Sequence, residues 1–318
     1  MPNPQNNPKP HKPGKIDLAA TFASLGAIIF WAMGPNFIKY LTVHLDAWTQ
    51  NMLRYLAACL FWLPYLALTH ATGKFDRSVW KKALLPAAVN IIMQSLWAAA
   101  FYYLDPAFMS LLVKSSVIMI AAFSFIFFPD ERPLITSPRF WLAAALSLTG
   151  ILGFMLAEPD FGSKTTAIGI IITLVCALMW SLYTIAIKVS FKHIDSRIGF
   201  SIMSIYTVAG LCILSFLFGQ PADCLKMPPF PWFCVVFSGV TSIALSHVLY
   251  YTAIKRIGAT IPSLTTLATP AFVFAISSIA FNERLTTPQI LFGLALLAGS
   301  ALAIYSQQHL KSRTPSPI

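Results

Sequence analysis

Ten predominantly apolar runs of about 20 residues succeed one another along this chain, and few folds can absorb such a pattern. They fall near 18–38, 47–69, 83–104, 106–128 and 139–157, then near 166–188, 197–218, 231–252, 259–281 and 288–306. At 1.5 Å per residue, each run is long enough to cross the roughly 30 Å hydrocarbon core of a bilayer as a helix. The runs are continuous rather than alternating, so helices fit them and barrel strands do not. The breaks between them are short, as at Asp105-Pro106, Pro129 to Pro138 and Lys255 to Gly258, and leave no room for a soluble catalytic domain. Hydrophobic residues make up 57% of the 318, above the roughly 45–50% of soluble domains. The expected fold is therefore an all-α polytopic membrane protein with ten transmembrane helices. Polar, proline-containing tails flank it at 1–16 and 307–318, both expected to be disordered and cytoplasmic. The first tail lacks the apolar core of a cleavable signal peptide.

The net charge of +11 has a membrane explanation. With ten spans and a cytoplasmic N-terminus, sixteen of the 22 Lys and Arg fall on the cytoplasmic side. The other side holds Lys39, Lys164, Lys226 and Arg284, while Arg54 and Lys114 lie inside spans. That bias follows the positive-inside rule and makes nucleic-acid binding an unnecessary reading of the charge. The five cysteines (Cys59, Cys176, Cys212, Cys224, Cys234) form no CxxC pair and no metal spacing with histidine, so buried reduced thiols are expected.

The chain repeats itself. The first span contains Trp31, seven residues, then Lys39; the sixth contains Trp180, seven residues, then Lys188. The fourth span ends in Phe128-Pro129-Asp130-Glu131-Arg132 and the ninth in Phe281-Asn282-Glu283-Arg284. A proline (Pro138, Pro288) then opens the next run, and Trp and Glu are 100 residues apart in one half and 103 in the other. Several matches in register point to a duplication, with units at 17–157 and 158–306. Five spans per unit is an odd number, so the copies are expected to sit in the bilayer in opposite senses, the inverted repeat of many secondary transporters.

Each half closes with a recognisable segment: Tyr102-Tyr103, Glu131-Arg132 and Leu148-Thr149-Gly150 in one, Tyr250-Tyr251, Glu283-Arg284 and Ala298-Gly299 in the other. With these residues the chain resembles EamA-type members of the drug/metabolite transporter superfamily over nearly its whole length. The resemblance implies ten helices, an inverted repeat, and transport of amino acids, other small metabolites or drugs, often outward. The chain departs from the commoner pattern in carrying Lys114 where the second copy has Thr266.

All eleven acidic residues lie at tails, loops or helix ends, which argues against coupling through a mid-span carboxylate. Lys114, about 12 Å into the fourth span, either snorkels or faces a cavity and attracts an anionic solute. Arg54, nearer a helix end, is expected to snorkel. Asn90, Gln94, Trp97 and Phe101 share one face of the third span and either line a pocket or bond a neighbouring helix. Ser238, Ser242 and Ser246, four residues apart, suggest close helix packing. His247 is the one histidine well inside a span, a proton-carrier candidate or a satisfied packing residue. Trp31 and Trp180, at matched positions past mid-helix, are candidate facing walls of one cavity, with Tyr183 a turn away. Gly34, Pro35, Pro262 and Pro270 are candidate hinges.

These residues point to a secondary transporter moving a small metabolite, an amino acid or other carboxylate-bearing or amphipathic solute, by alternating access. The alternative is a broad-specificity drug or toxic-metabolite exporter. No HExxH, GxSxG or mid-span acid pair suggests an enzyme, and no catalytic residue, metal or cofactor is expected. The expected partners are a small-molecule substrate and the lipid bilayer, in a monomer or homodimer. The expected location is a bacterial inner membrane.

Overall fold

The computed structural model describes residues 17–73, 76–104, 109, 112–157, 166–269, 272 and 286–311. Its first half contains α1 (Leu18–Leu41), α2 (Ala47–Ala71), α3 (Ser78–Ala100), α4 (Ser116–Phe127) and α5 (Pro138–Leu156). A 3₁₀ turn, Val113–Ser115, leads into α4, and a one-turn helix, Arg132–Ile135, separates α4 from α5. The second half contains α6 (Ala167–Ser190), α7 (Ser196–Phe218), α8 (Pro229–Ile257), α9 (Thr260–Thr265, continuing as a 3₁₀ turn over Thr266–Ala268) and α10 (Thr287–Lys311). Among the described residues there is no strand.

Six helices (α1, α2, α3, α6, α7 and α8) are long and apolar enough to span a bilayer. Three shorter apolar helices run over Val113–Phe127, Pro138–Phe154 and Thr287–Ala303. About half of the expected ninth span (270, 271 and 273–281, Pro270 among them) lies outside the described residues, as do Glu283, Arg284 and the N-terminal tail. The bundle turns large apolar side chains outward: Phe22 is 70% exposed, Phe216 73% and Leu217 67%. In water that surface would aggregate, whereas in hydrocarbon it is solvated.

Helix starts follow local chemistry. Asp46 caps α2, accepting the amides of Trp48 (2.9 Å) and Thr49 (3.0 Å). Thr166 caps α6 through Gly169 N at 3.2 Å. Asp17 accepts Ala20 N at 3.0 Å at the start of α1 and ties it to α8 through Arg256 Nε at 2.9 Å.

The two halves pack about a pseudo-two-fold relation. Gly150 of α5 lies so close to α10 that a Cβ there would sit 2.6 Å from Leu296 N, and one on Gly299 would sit 2.7 Å from Ser147 N. Ser147 and Leu296, like Gly150 and Gly299, are 149 residues apart, the same offset as Trp31 and Trp180. The contact is therefore its own mirror, and it runs antiparallel, since ascending α5 means descending α10. Between α2 and α7, Thr49 Oγ1 meets Ser215 Oγ at 3.0 Å, while Arg197 lies over the Tyr65 ring at 4.2 Å. Matched helices thus run in opposite directions here as well.

The core divides into two large clusters and a small third one around Ile38, Phe101 and Leu104. One large cluster is built mainly from α1, α2, α3, α6, α7 and α8, and the other from α4, α5, α9, α10 and parts of α1 and α8. At one end Glu131 joins the halves. It is 3% exposed and accepts Lys188 Nζ (2.5 Å), Ala259 N (2.7 Å), Thr260 N (3.0 Å) and the Thr260 hydroxyl. Lys188 also lies over the Phe128 ring at 3.6 Å. Gly258, at φ +87°, makes this approach possible: a Cβ there would fall 2.5 Å from Glu131 Oε1.

Candidate functional site

Halfway along the first cluster, α1, α6, α7 and α8 converge on an aromatic cage. Trp31 meets Trp180 edge to face with ring centroids 5.3 Å apart, so the matched tryptophans of the two halves touch. Trp31 also packs edge-on against Tyr250 (4.9 Å) and His247 (5.6 Å). Phe200, Tyr183 and Tyr251 complete the surround of His247 at 5.7, 6.1 and 6.2 Å. Such edge-to-face pairs contribute about 0.5–1.5 kcal/mol each beyond their burial. Trp31 and Trp180 are half-buried, while Tyr183, Tyr250 and Tyr251 are fully buried.

Hydroxyls stitch the cage. Tyr183 and Tyr251 share a hydrogen bond, as do Thr184 and Tyr250 at 3.1 Å and Tyr250 and Ser263 at 2.8 Å. His247 is 2% exposed, and its Nδ1 lies 2.9 Å from the Ile243 carbonyl, so Nδ1 carries the proton and donates it. In the neutral ring Nε2 is then an acceptor, and among the described residues it is buried without a partner. An orphaned polar atom in a buried cage needs an explanation.

The helix beneath His247 is irregular. From Val240 to Leu245, α8 takes π geometry, and the Ala244 carbonyl accepts Trp62 Nε1 at 3.0 Å. Single π turns often mark functional positions. Arg54 reaches this segment from α2. It does not snorkel, being only 5% exposed, and it donates from Nε to Ser238 Oγ (3.0 Å) and from Nη2 to Ser242 Oγ (2.8 Å). The serine stripe of α8 therefore receives an arginine in addition to packing closely.

The remaining sequence candidates scatter. Asn90 is fully buried and bonds Tyr55 and Thr207, both at 3.1 Å through Nδ2, which joins α2, α3 and α7. Gln94 is 8% exposed, and its backbone carbonyl accepts Asn51 Nδ2 at 3.0 Å. Trp97 pairs with Phe101 (5.4 Å) and packs against both the first cluster and the small third one. Lys114 is half-buried in the 3₁₀ turn before α4, near the point where Ser181 of α6 donates to the Ser116 carbonyl at 3.1 Å. Among the described residues, no hydrogen bond or ion pair reaches its ammonium, and the adjacent Ser115 hydroxyl is also without a partner. Gly34 lets α1 approach α8: a Cβ there would sit 3.2 Å from Ser242. Pro35 lies within α1, and Pro262 is buried in α9.

Tyr250, Tyr251 and Phe200 are not among the site residues expected from the sequence, and Arg54 is expected there only to snorkel. The Tyr-Tyr pair has a visible signal in its duplication at Tyr102-Tyr103, and Arg54 in its place inside a span. Beside the cage, a cleft lined by Lys188, Phe191, Lys192, Ser196, Tyr251 and Lys255 opens toward the Glu131 end.

A bundle with a lipid-compatible exterior, matched halves and a polar, aromatic centre is the form of a membrane transporter. The model of the EamA-like transporter family matches the chain twice, over residues 18–156 and 167–305, and the chain belongs to that family. Among solved structures, one crystal structure superposes with a TM-score of 0.74 over 92% of this chain and 98% of its own. Its sequence is 18% identical, so the likeness shows the fold alone. A search of curated proteins returns no match.

Proposed function

We propose that this transporter is a secondary carrier that moves a small carboxylate-bearing or amphipathic metabolite, of which amino acids are one class, by alternating access. The cage carries the reading. Trp31 from one repeat and Trp180 from the other close over His247, whose Nε2 is left as an acceptor for something other than the protein. A structural plug would have no use for that nitrogen. In this reading the bundle has ten spans in two inverted five-helix repeats, and the repeats rock about the cage.

The Glu131–Lys188 pair and the α9 amides hold one end shut. That end is assigned to the cytoplasm, together with both termini, in a bacterial inner membrane. The cleft lined by Lys188, Lys192, Tyr251 and Lys255 is the path from that side, and Lys192 and Lys255, which carry no ion pair among the described residues, favour anionic solutes. Lys114, with no hydrogen-bond or ion-pair partner among the described residues, is a second anion contact within the bundle.

Reconstitution into liposomes tests the proposal. Flux of a transported carboxylate should saturate, because a carrier turns over and a channel does not. Lys114→Gln should lower that flux while yield and melting temperature hold. Linear flux, or a folding defect in Lys114→Gln, contradicts the reading. The aromatic walls also suit the second reading, a broad-specificity exporter. Saturable flux of tetraphenylphosphonium, together with indifference to carboxylates, would favour it.

A further inference from the structure

A helix that takes one extra residue into a turn must widen there, and α8 does so between Val240 and Leu245. The Ser246 amide donates to the Thr241 carbonyl, five residues back, and the Ser242 carbonyl accepts the Ser246 hydroxyl at 2.7 Å. The buried face of α8 records the extra residue. It passes through Val235, Ser238, Ser242, His247, Tyr251 and Ile254, in steps of three or four broken by one step of five from Ser242 to His247. Each residue of an α-helix turns the chain by about 100°, so an unwidened α8 would rotate everything beyond Leu245 by about that angle. The segment contains no Pro or Gly, so its own sequence does not call for the irregularity.

The hold comes from α2. Arg54 donates to Ser238 Oγ (3.0 Å) and Ser242 Oγ (2.8 Å), and about two turns further along Trp62 Nε1 donates to the Ala244 carbonyl (3.0 Å). Gly239 brings the two backbones together just before the wide turn: a Cβ there would fall 2.5 Å from the Arg54 carbonyl oxygen and 2.9 Å from Ala57 Cβ. The other half supplies a control. Helices α2 and α7 match, since each follows an aspartate cap and the caps, Asp46 and Asp195, are 149 residues apart. In that register Met203 stands for Arg54 and Leu211 for Trp62, and neither side chain has a donor. The helix packed on α7 in the place of α8 is α3, joined to it by Asn90 and Thr207, and α3 is α-helical without interruption from Ser78 to Ala100. The wide turn occurs where α2 offers donors and is missing where α7 offers none.

We propose that Arg54 and Trp62 are positioning residues: together they hold α8 in its wide turn, and that register brings His247 and Tyr250 onto Trp31. They act through α8, since the Trp62 ring itself packs on Phe61 and Tyr65. Because α2 belongs to one half and α8 to the other, the cage is complete only while the two helices are docked. Withdrawal of α2 lets α8 wind up into α geometry and turns His247 away from Trp31. Resting on the carrier reading above, separation of α2 from α8 and dismantling of the cage become a single event.

The test is solid-state NMR of the full chain in lipid bilayers, with isotope-labelled His and Trp rings reading the contact of His247 with Trp31, whose centroids are 5.6 Å apart. Wild type should show that contact. Trp62→Phe should shift the balance of π over α register by about five-fold, and Trp62→Phe with Arg54→Gln by about 50-fold, with loss of the contact. Deleting Ala244 takes the extra residue out of the turn and returns His247 to the inward face without help from α2. In that background the contact should be present and indifferent to the double substitution. Rescue by a one-residue deletion is a result that two merely structural side chains would not give. The proposal is overturned if the contact survives the double substitution in the undeleted chain, or if the deletion fails to restore it. A doubly substituted chain that folds in neither background also overturns it, in favour of a structural arginine and tryptophan. Should the deletion alone prevent folding, Trp62→Phe in the undeleted chain decides, and a contact of wild-type strength there refutes the role of α2. No solute enters these measurements, so their failure leaves the carrier standing, whereas absence of saturable flux removes the carrier and leaves the register of α8 as measured.

Discussion

Glu131 gathers donors from α6 and α9 onto one carboxylate, although it belongs to the turn after α4. With side-chain exposures of 4% for Glu131 and 14% for Lys188, the pair sits mostly out of water. Removing one partner of such a pair leaves the other uncompensated, at about 3 kcal/mol. Glu131→Gln should therefore lower stability by about that amount in denaturant melts, and a change below about 0.5 kcal/mol would show that the pair is dispensable. Asp46 offers a pH-dependent counterpart at the other end. Burial pushes its carboxyl up, but the Thr49 hydroxyl and the amides of Gln220, Thr49 and Trp48 together outweigh that and hold it below its ordinary value of about 3.8. A lowered folded-state value means the stabilisation is complete above pH 3.8 and fades as the pH falls through the folded value. Asp46→Ala should cost about 1 kcal/mol at pH 7 and less in acid below pH 3.8, read by melting at both. An equal loss at both pH values would refute it.

Among residues, the sequence exposed what was duplicated and concealed what was not. The facing tryptophans were legible because Trp31 and Trp180 share a register, and Glu131 because Glu283 repeats it. Arg54 was misread as snorkelling because a single arginine near a helix end has room to reach an interface. What holds it inward is Ser238 and Ser242, some 190 residues away in the chain. Asn90 had two open readings, and its bonds to Tyr55 and Thr207 supply the interhelical one.

At the scale of elements, close approach of matched helices does what hydrophobic burial does in water. Lipid is as apolar as a leucine side chain, so α5 and α10 depend on small residues that let their backbones meet. Gly150→Val and Gly299→Val should each cost about 2 kcal/mol, and the double variant less than the sum, because the first substitution already parts the helices. Melting of the three variants checks this, and strict additivity would mean the two glycines pack independently. The expected start of the third span, 83, falls inside α3 (Ser78–Ala100), because Lys81 and Lys82 look like loop residues although their stems can lie along a helix. The π segment of α8 left no mark in the sequence, since Val240–Leu245 reads as an ordinary apolar run.

For the whole molecule, the antiparallel meeting of α2 with α7 and of α5 with α10 gives two halves that are interchangeable in shape and unequal in detail. In the proposed carrier such halves adopt two tilts of similar energy, one occluding each end, with the Trp31–Trp180 contact between them. Lys114, Arg54 and the lysine-lined cleft have no counterpart in the other half and break the symmetry. The most direct test needs no substrate. On a cysteine-free background, a single cysteine at Ser246, beside His247, is challenged with a membrane-impermeant maleimide from each side of oriented proteoliposomes. The account predicts labelling from both sides. Chemically bridging cysteines placed at Glu131 and Lys188 should then abolish labelling from that side and leave the other intact. Labelling from one side only, or from both sides despite the bridge, would contradict it.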